Sequence, residues 1–577
     1  TTGAEPGLVD VRVPDVTFVA SAAVPPDSTA SRPLLAVGGR IASGALSPQA
    51  LASVRASLAI ADFDQNGYPD VASVRRGRLR ILRNRAGHLD ADTTPDGFDA
   101  PTALAVVAGD VDNDGLADLV VTRSDGVSVL RNAGDFRFVD VSSAAGMPAA
   151  VPAAVTEALV DVDHDGDLDV FLAGIVRAGA TSEPDRLRGF PGGFDPAGNL
   201  LLRNNGNGTF TDTTAAAGLA GPGWTIGIVP TDFDNRRDVD VLLGDASGPV
   251  KLFRNMRDGT FRDVAEETGL RPIRAVRSVA AADVNKDGYT DFFFGASPES
   301  TFALSNGRGR FTISPAPRVA AEASAALFVD YDLDGLLDLV MATPNGLQLL
   351  RNIGSAWQEV GGRAFPDRTL AEDLATAAIG AVDLDLDGDQ DLVVAADAGL
   401  RVLTNSGGNR HRSVAVSLRG RVTNRQAVGV KVDLRAGSLQ QKIETSAASP
   451  AVAPADVVFG LGGRPTADAL RVIWVSGILQ AEGVPTGGAA RPDVVSIEEL
   501  NRKPSSCPFL YSWNGERFQF ITDFLGGGET GAWLAPGLMS EPDPEEYVRI
   551  PPGQLVERHG VYDLRISAFV STDLARV

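Results

Sequence analysis

One cysteine, Cys507, stands in 577 residues, so no disulfide can form within the chain. Histidine is nearly as scarce: His88, His164, His411 and His559 are scattered. No "GxSxG", "HExxH" or phosphate-cradling glycine loop occurs in a suitable setting. Nucleophilic, zinc and phosphoryl chemistry therefore have almost nothing to work with. Cys507 reads as a small buried hydrophobe, His164 as a solvated loop residue and "FLGGGETG" at 524–531 as a turn. No run of eighteen or more apolar residues exists, so no helix is expected to cross a membrane. The start "TTGAEPGLVD" is not a signal peptide; it is expected to be a mature end left after a leader was removed, or an arbitrary boundary. Positive charge is short, with 52 Lys and Arg against 74 Asp and Glu and a net charge of −22. Such a surface excludes nucleic acid as a natural partner.

What the chain has in excess is aspartate, held in one repeated phrase. "DVDNDGLAD" starts at Asp110, with Asp112 and Asp114 at positions 3 and 5, Gly115 at 6 and Asp118 at 9. Carboxylates this close repel unless they share a cation. Calcium takes about six to eight oxygens in a flexible cage, the glycine allows the sharp turn, and position 7 (Leu116) offers its carbonyl. A helix–loop–helix site would need a glutamate at position 12, where Val121 stands in a strand-like "LVVT". Magnesium, which gives up its waters reluctantly, fits less well.

The phrase recurs. The first copy offers Asp62, Asp64, Asn66, Tyr68 and Asp70; the third offers Asp161, Asp163, Asp165, Asp167 and Asp169. The fifth offers Asp283, Asn285, Asp287, Tyr289 and Asp291, and the sixth Asp330, Asp332, Asp334, Leu336 and Asp338. The seventh offers Asp383, Asp385, Asp387, Asp389 and Asp391. A fourth copy, "DFDNRRDVD" from Asp232, has Arg236 at position 5 and Arg237 at position 6. Arg236 is expected to take the cation's place there, leaving about six calcium ions in the chain; the rival is a shifted site using Asp238.

Each copy follows a small, apolar lead-in such as "TALAVVAG" or "SAALFV" and precedes an apolar strand. Then come "RN" phrases (Arg83–Asn84, Arg131–Asn132, Arg203–Asn204, Arg254–Asn255, Arg351–Asn352). The asparagine is expected to start a turn and the arginine to pair with neighbouring blades. Short strands at regular spacing indicate all-β architecture. Seven repeats of four strands point to a seven-bladed β-propeller over residues 1–408; a parallel β-helix would have shorter repeats. The seventh repeat lacks its own last strand, and residues 16–24, "VTFVASAAV", should supply it.

These loops, with their lead-in and "RN" phrase, resemble FG-GAP/VCBS repeats, also found in integrin α-chain propellers. Residues 409–503 carry "NRHRSVAVSLRGRVTNRQAVGVKVDL", "DVVFGLGG" and "ALRVIWVSG", and resemble the ASPIC/UnbV domain, expected as a β-sandwich-like unit. The pair of domains is the layout of the cartilage acidic protein family and its bacterial relatives. The stretch "SAASPAVAPAD" before "FGLG" departs from the pattern, and no function is carried onto it. Residues 504–577, from "CPFLYSWNGERFQF", resemble an aromatic-rich β segment of some bacterial members, expected to be incomplete at Val577.

The reading is a non-enzymatic, extracellular calcium-binding scaffold of bacterial type, secreted or attached to a cell surface. It would mediate adhesion or assembly through its propeller loops. Its partner would be an extracellular protein, a glycan or further copies of itself, and the 175–199 insertion is the best contact candidate. The alternative is a carbohydrate-active propeller, a lectin or calcium-dependent polysaccharide lyase. Against it stand only six tyrosines, four histidines and five tryptophans.

Overall fold

A computed structural model describes residues 13–24, 55–90, 102–124, 126–148, 153–178, 194–366, 374–396, 399–484, 492–500, 509–523, 533–535, 538–539, 550, 552–558 and 560–567. Cys507, the 524–531 glycine run and the tip of the 175–199 insertion lie outside them.

The seven aspartate phrases each sit in their own sheet. Every sheet begins with an inner strand: Ser57–Ala61, Ala103–Gly109, Thr156–Val160, Thr225–Thr231, Val276–Ala282, Ala325–Val329 and Ala378–Val382. Consecutive inner strands touch one another, and the last touches the first, so the sheets form a closed ring of blades. Small residues suit this crowded centre. The register repeats in every blade: the residue before position 1 lies opposite the position 9 aspartate, as in Ala61 with Asp70, Gly109 with Asp118 and Val382 with Asp391. The second strands are apolar on both faces because both faces are covered by neighbouring blades; Asp338–Thr343 is buried along its whole length. Leu58, Val71 and Leu82 pack on Val393, Ala395 and Leu400 across the junction of first and last blades.

Residues Thr17–Val24 form the outer strand of the last blade, antiparallel to Gly399–Ser406, with Thr17 opposite Ser406. Phe18 is buried there and stacks on Phe365 at 5.4 Å. In the third blade, Asp169–Ala178 and Phe194–Asn204 extend the sheet towards the end opposite the aspartate loops.

Between residues 409 and 500 the chain builds two further sheets. One holds Ser413–Arg419 between antiparallel Val457–Gly460 and parallel Asp493–Glu498. The other holds Lys431–Ala436 and Ala469–Ile473 between Leu439–Glu444 and Leu479–Glu482. Phe459, Trp474, Val432 and Leu434 fill the core between them. This unit sits on the aspartate-loop face of the propeller. Gln426 accepts from the Asp110 amide, Lys442 Nζ donates to the Gly288 carbonyl, Ser413 Oγ donates to the Gly388 carbonyl, and Gly462 N donates to the Leu333 carbonyl.

The stretch "SAASPAVAPAD" enters the centre of the ring. Ala447–Ser449 adds a strand to the third blade's inner strand, and Ser449 Oγ lies 2.6 Å from Ser57 Oγ of the first blade. Ala281 N of the fifth blade donates to the Val452 carbonyl, and Ala455 N donates to the Ala381 carbonyl of the seventh. Asp456 then accepts from the Asp383 amide, back among the loops. Alanine, serine and proline fit because the space between inner strands admits little else. The segment is an inserted hairpin that occupies the channel.

Candidate metal centre

Each aspartate loop is first organised by its own backbone. The position 1 carboxylate accepts from the amides of positions 5 and 6: Asp110 from Asp114 and Gly115 at 3.0 and 2.8 Å, Asp330 from Asp334 and Gly335 at 3.0 and 2.9 Å. The position 5 side chain accepts from the amide of position 7, as Asn66 from Tyr68, Asp114 from Leu116, Asp287 from Tyr289 and Asp334 from Leu336. The position 9 carboxylate ties the loop to the third strand. Asp118 accepts from Val111 N and Asn132 N, Asp291 from Val284 N and Ser305 N, and Asp391 from Leu384 N and Asn405 N. Position 6 has φ of +94° at Gly115 and +102° at Gly388, which glycine adopts freely. Position 4 is left-handed too, with φ +51° at Leu333, +60° at Leu386 and +61° at His164, a strain that sequence spacing did not announce.

These turns bring carboxylate oxygens within 4.8 Å of one another in the clusters Asp62, Asp64, Asp70; Asp110, Asp112, Asp118; Asp161, Asp163, Asp165; Asp330, Asp332, Asp338; and, in the fourth loop too, Asp232, Asp234, Asp240. Burial, with like charge beside it, pushes Asp110 up to about 6, Asp118 to about 8, Asp161 to about 7 and Asp383 to about 7. Asp161 Oδ1 and Asp332 Oδ1 are buried without a hydrogen-bond partner. An oxygen-only donor set with orphaned carboxylate oxygens fits a hard cation such as calcium. Two position 7 carboxylates face elsewhere: Asp167 accepts from Asn113 Nδ2, and Asp389 from Asn409 N, so their part in a cage would be the carbonyl. Asp387 also accepts from Asn409 Nδ2 at 2.7 Å.

The fourth loop differs from the expectation. The cation on Asp232 is Lys431 of the second unit, whose Nζ is 2.5 Å from Oδ2 and 3.1 Å from the Asp232 carbonyl, and also meets Asn235 Oδ1. Arg236 lies farther out with Arg254 on Asp234, at 3.3 and 3.1 Å, while Arg257 holds Asp238 at 2.6 Å. Arg236 is largely exposed, so the deeper place goes to the more compact ammonium. Arg237 takes φ +70° at the glycine position.

The "RN" arginines pair with position 3 of their own loop: Arg83 with Asp64 at 3.0 Å, Arg254 with Asp234, and Arg351 with Asp332 at 2.7 Å. Arg83 also makes the expected neighbouring-blade contact, lying over the Phe136 ring of the second blade at 4.5 Å. The asparagines start the turn, Asn132 Oδ1 accepting from Gly134 N, and their amides make the cross-blade contact. Asn132 Nδ2 donates to the Phe63 carbonyl, Asn204 to Val111, Asn255 to Val162, Asn352 to Val284 and Asn405 to Tyr331. Asn84 reaches Leu384 and closes the circle. Each acceptor is position 2 of the preceding blade's loop.

The family model for the FG-GAP-like repeat matches residues 62–121, 110–172, 232–294 and 330–394. Cartilage acidic protein 1 of Mus musculus is 30% identical over 163 residues, 25% of this chain and 25% of that protein; the Homo sapiens protein is 28% identical over 163 residues, 25% and 24%. The chain thus spans about a quarter of the length of the curated relatives it matches. A solved lectin of Agrocybe aegerita, described by its recognition of non-reducing terminal N-acetylglucosamine, superposes with a TM-score of 0.35 at 18% identity, over 54% of this chain and 83% of the lectin. The ring is a propeller that carries FG-GAP-like repeats, and over a quarter of its length the chain is similar to cartilage acidic protein 1.

Proposed function

We propose that the protein is an extracellular, calcium-stabilised binding or scaffold protein without catalytic activity. The observation that carries this reading is the set of aspartate clusters with buried, orphaned oxygens beneath the second unit. Positions 1, 3, 5 and 9 would ligate through side chains and position 7 through its carbonyl, with about six ions in loops 1–3 and 5–7 and an ammonium in loop 4. Loops of this kind fill at roughly millimolar calcium, the level outside cells. Residues 1–408 would act as the propeller, 409–503 as its cover and 504–577 as a further β segment. Because the cover occupies the loop face, a partner would meet the opposite face, towards which Asp169–Ala178 and Phe194–Asn204 extend, and the 175–199 insertion would supply the contact. That partner would be an extracellular protein, a glycan or a second copy. Metal analysis should find close to six calcium ions per chain, and chelator should lower the melting temperature sharply and expand the scattering envelope. Identical melts and scattering profiles with and without chelator would refute the reading.

A further inference from the structure

At the end of the channel away from the second unit is a cavity of about 310 Å³. Its wall is the starts of the inner strands, and its floor is Ser449 and Pro450 at the tip of the inserted hairpin. No aspartate or glutamate lines it, in a chain of net charge −22. Arg55, just before the first blade's inner strand, and Arg277, on the fifth blade's, both do. Arg55 Nη2 donates to the backbone carbonyl of Arg277, a contact that spans the mouth of the ring. Among the described residues neither makes an ion pair with a carboxylate, and the charged group acting on Arg55 is Arg277 itself. Glu322, at the rim, accepts from Ser297 Oγ and does not line the cavity.

The remaining polar wall is largely saturated. Ser57 Oγ donates to the Val106 carbonyl and Ser324 Oγ to the Leu374 carbonyl. A guanidinium carries five donors in a planar fork, and Arg55 directs one of them at Arg277, so the unspent donors facing the space are cationic. Burial first, and then Arg277, lower the Arg55 pKa to about 10. Two like charges held together here are relieved by an anion, and a planar fork suits a carboxylate, sulfate or phosphate. The volume matches the lower end of small-molecule sites, roughly 300 Å³.

We infer that this mouth is a binding site for a small organic acid or acid group, its carboxylate, sulfate or phosphate held by Arg55 and Arg277. The site lies at the opposite end of the channel from the aspartate loops and does not depend on the calcium reading.

Titration calorimetry on the full calcium-loaded chain tests it, using glucuronate, a uronate-containing oligosaccharide, inorganic phosphate and inorganic sulfate, with glucose as the neutral control. At least one acidic probe should bind at a single site while glucose does not. Arg55→Gln and Arg277→Gln should each weaken it at least about tenfold, the loss expected for one charge-assisted pair. Tighter binding of the oligosaccharide than of glucuronate would place a glycan's acid group there; equal binding would favour a free acid, and phosphate or sulfate alone an inorganic oxyanion. Arg277 is exposed, so Arg277→Gln keeps the test decisive if Arg55→Gln does not fold. No binding of any acidic probe, or binding unchanged in the folded variants, overturns the inference. Chelator melts are a separate readout, so this failure and that of the calcium reading are distinguishable.

Discussion

Lys431 reaches Asp232 across 199 residues, and both side chains are almost wholly buried, 6% and 7% exposed. A buried carboxylate that loses its hydrogen-bonded ammonium keeps only more distant positive charge, here Lys442, at a cost of up to about 3–5 kcal/mol. Lys431→Met should therefore destabilise the protein by roughly that amount in urea unfolding, and a loss below about 1 kcal/mol would mean that the arginines on Asp234 and Asp238 hold this loop unaided. Nothing in the fourth phrase hints at Lys431. A substitution at position 5 is visible in "DFDNRRDVD", but the compensating charge belongs to a different unit and follows no period. The "RN" phrase was half legible for the same reason. Its turn lies within four residues, whereas the Asn132 amide to Phe63 spans 69 and Asn204 to Val111 spans 93, because the third repeat is longer.

The loop as an element stores repulsion that a cation removes. With Asp118 and Asp391 raised to about 8 and Asp110 to about 6, the calcium-free fold binds protons more tightly than the unfolded chain, whose aspartates titrate near 3.9. Their favourable contribution is complete below the unfolded pKa and is lost as pH rises through about 6 to 8. Protein stripped of calcium should thus melt higher near pH 5.5 than near pH 8.5, and the order should reverse with saturating calcium, because protons then compete with the ion. A stripped protein that melts higher at the alkaline end would contradict this. The loop was readable from spacing because positions 1, 3, 5, 6 and 9 act within nine residues. The left-handed position 4 was not, since Gln65, Asn113, His164, Asn235, Lys286, Leu333 and Leu386 share no side-chain chemistry.

For the whole molecule, two pieces remote in sequence complete the ring: the strand Thr17–Val24 at its seam and the hairpin 447–456 in its channel. The first was legible because the seventh repeat visibly lacked a strand. The second was not, since "SAASPAVAPAD" looks bland until it meets inner strands too close for larger side chains. Deleting residues 1–25 should expose Leu403 and the edge of Gly399–Ser406 and lower the melting temperature by more than about 5 °C; an unchanged melt would show that the ring closes without that strand. The seam also has a mechanical character. Thr17 lies opposite Ser406, so the chain leaves both strands at the same end of the ladder. Tension between the N-terminal side of Thr17 and the second unit loads those backbone bonds one at a time, from Thr17 towards Val24, as a zipper and not in shear. In an optical trap that strand should peel away in an early low-force step before any blade unravels, so a propeller hard to melt would still be easy to unlatch by pulling.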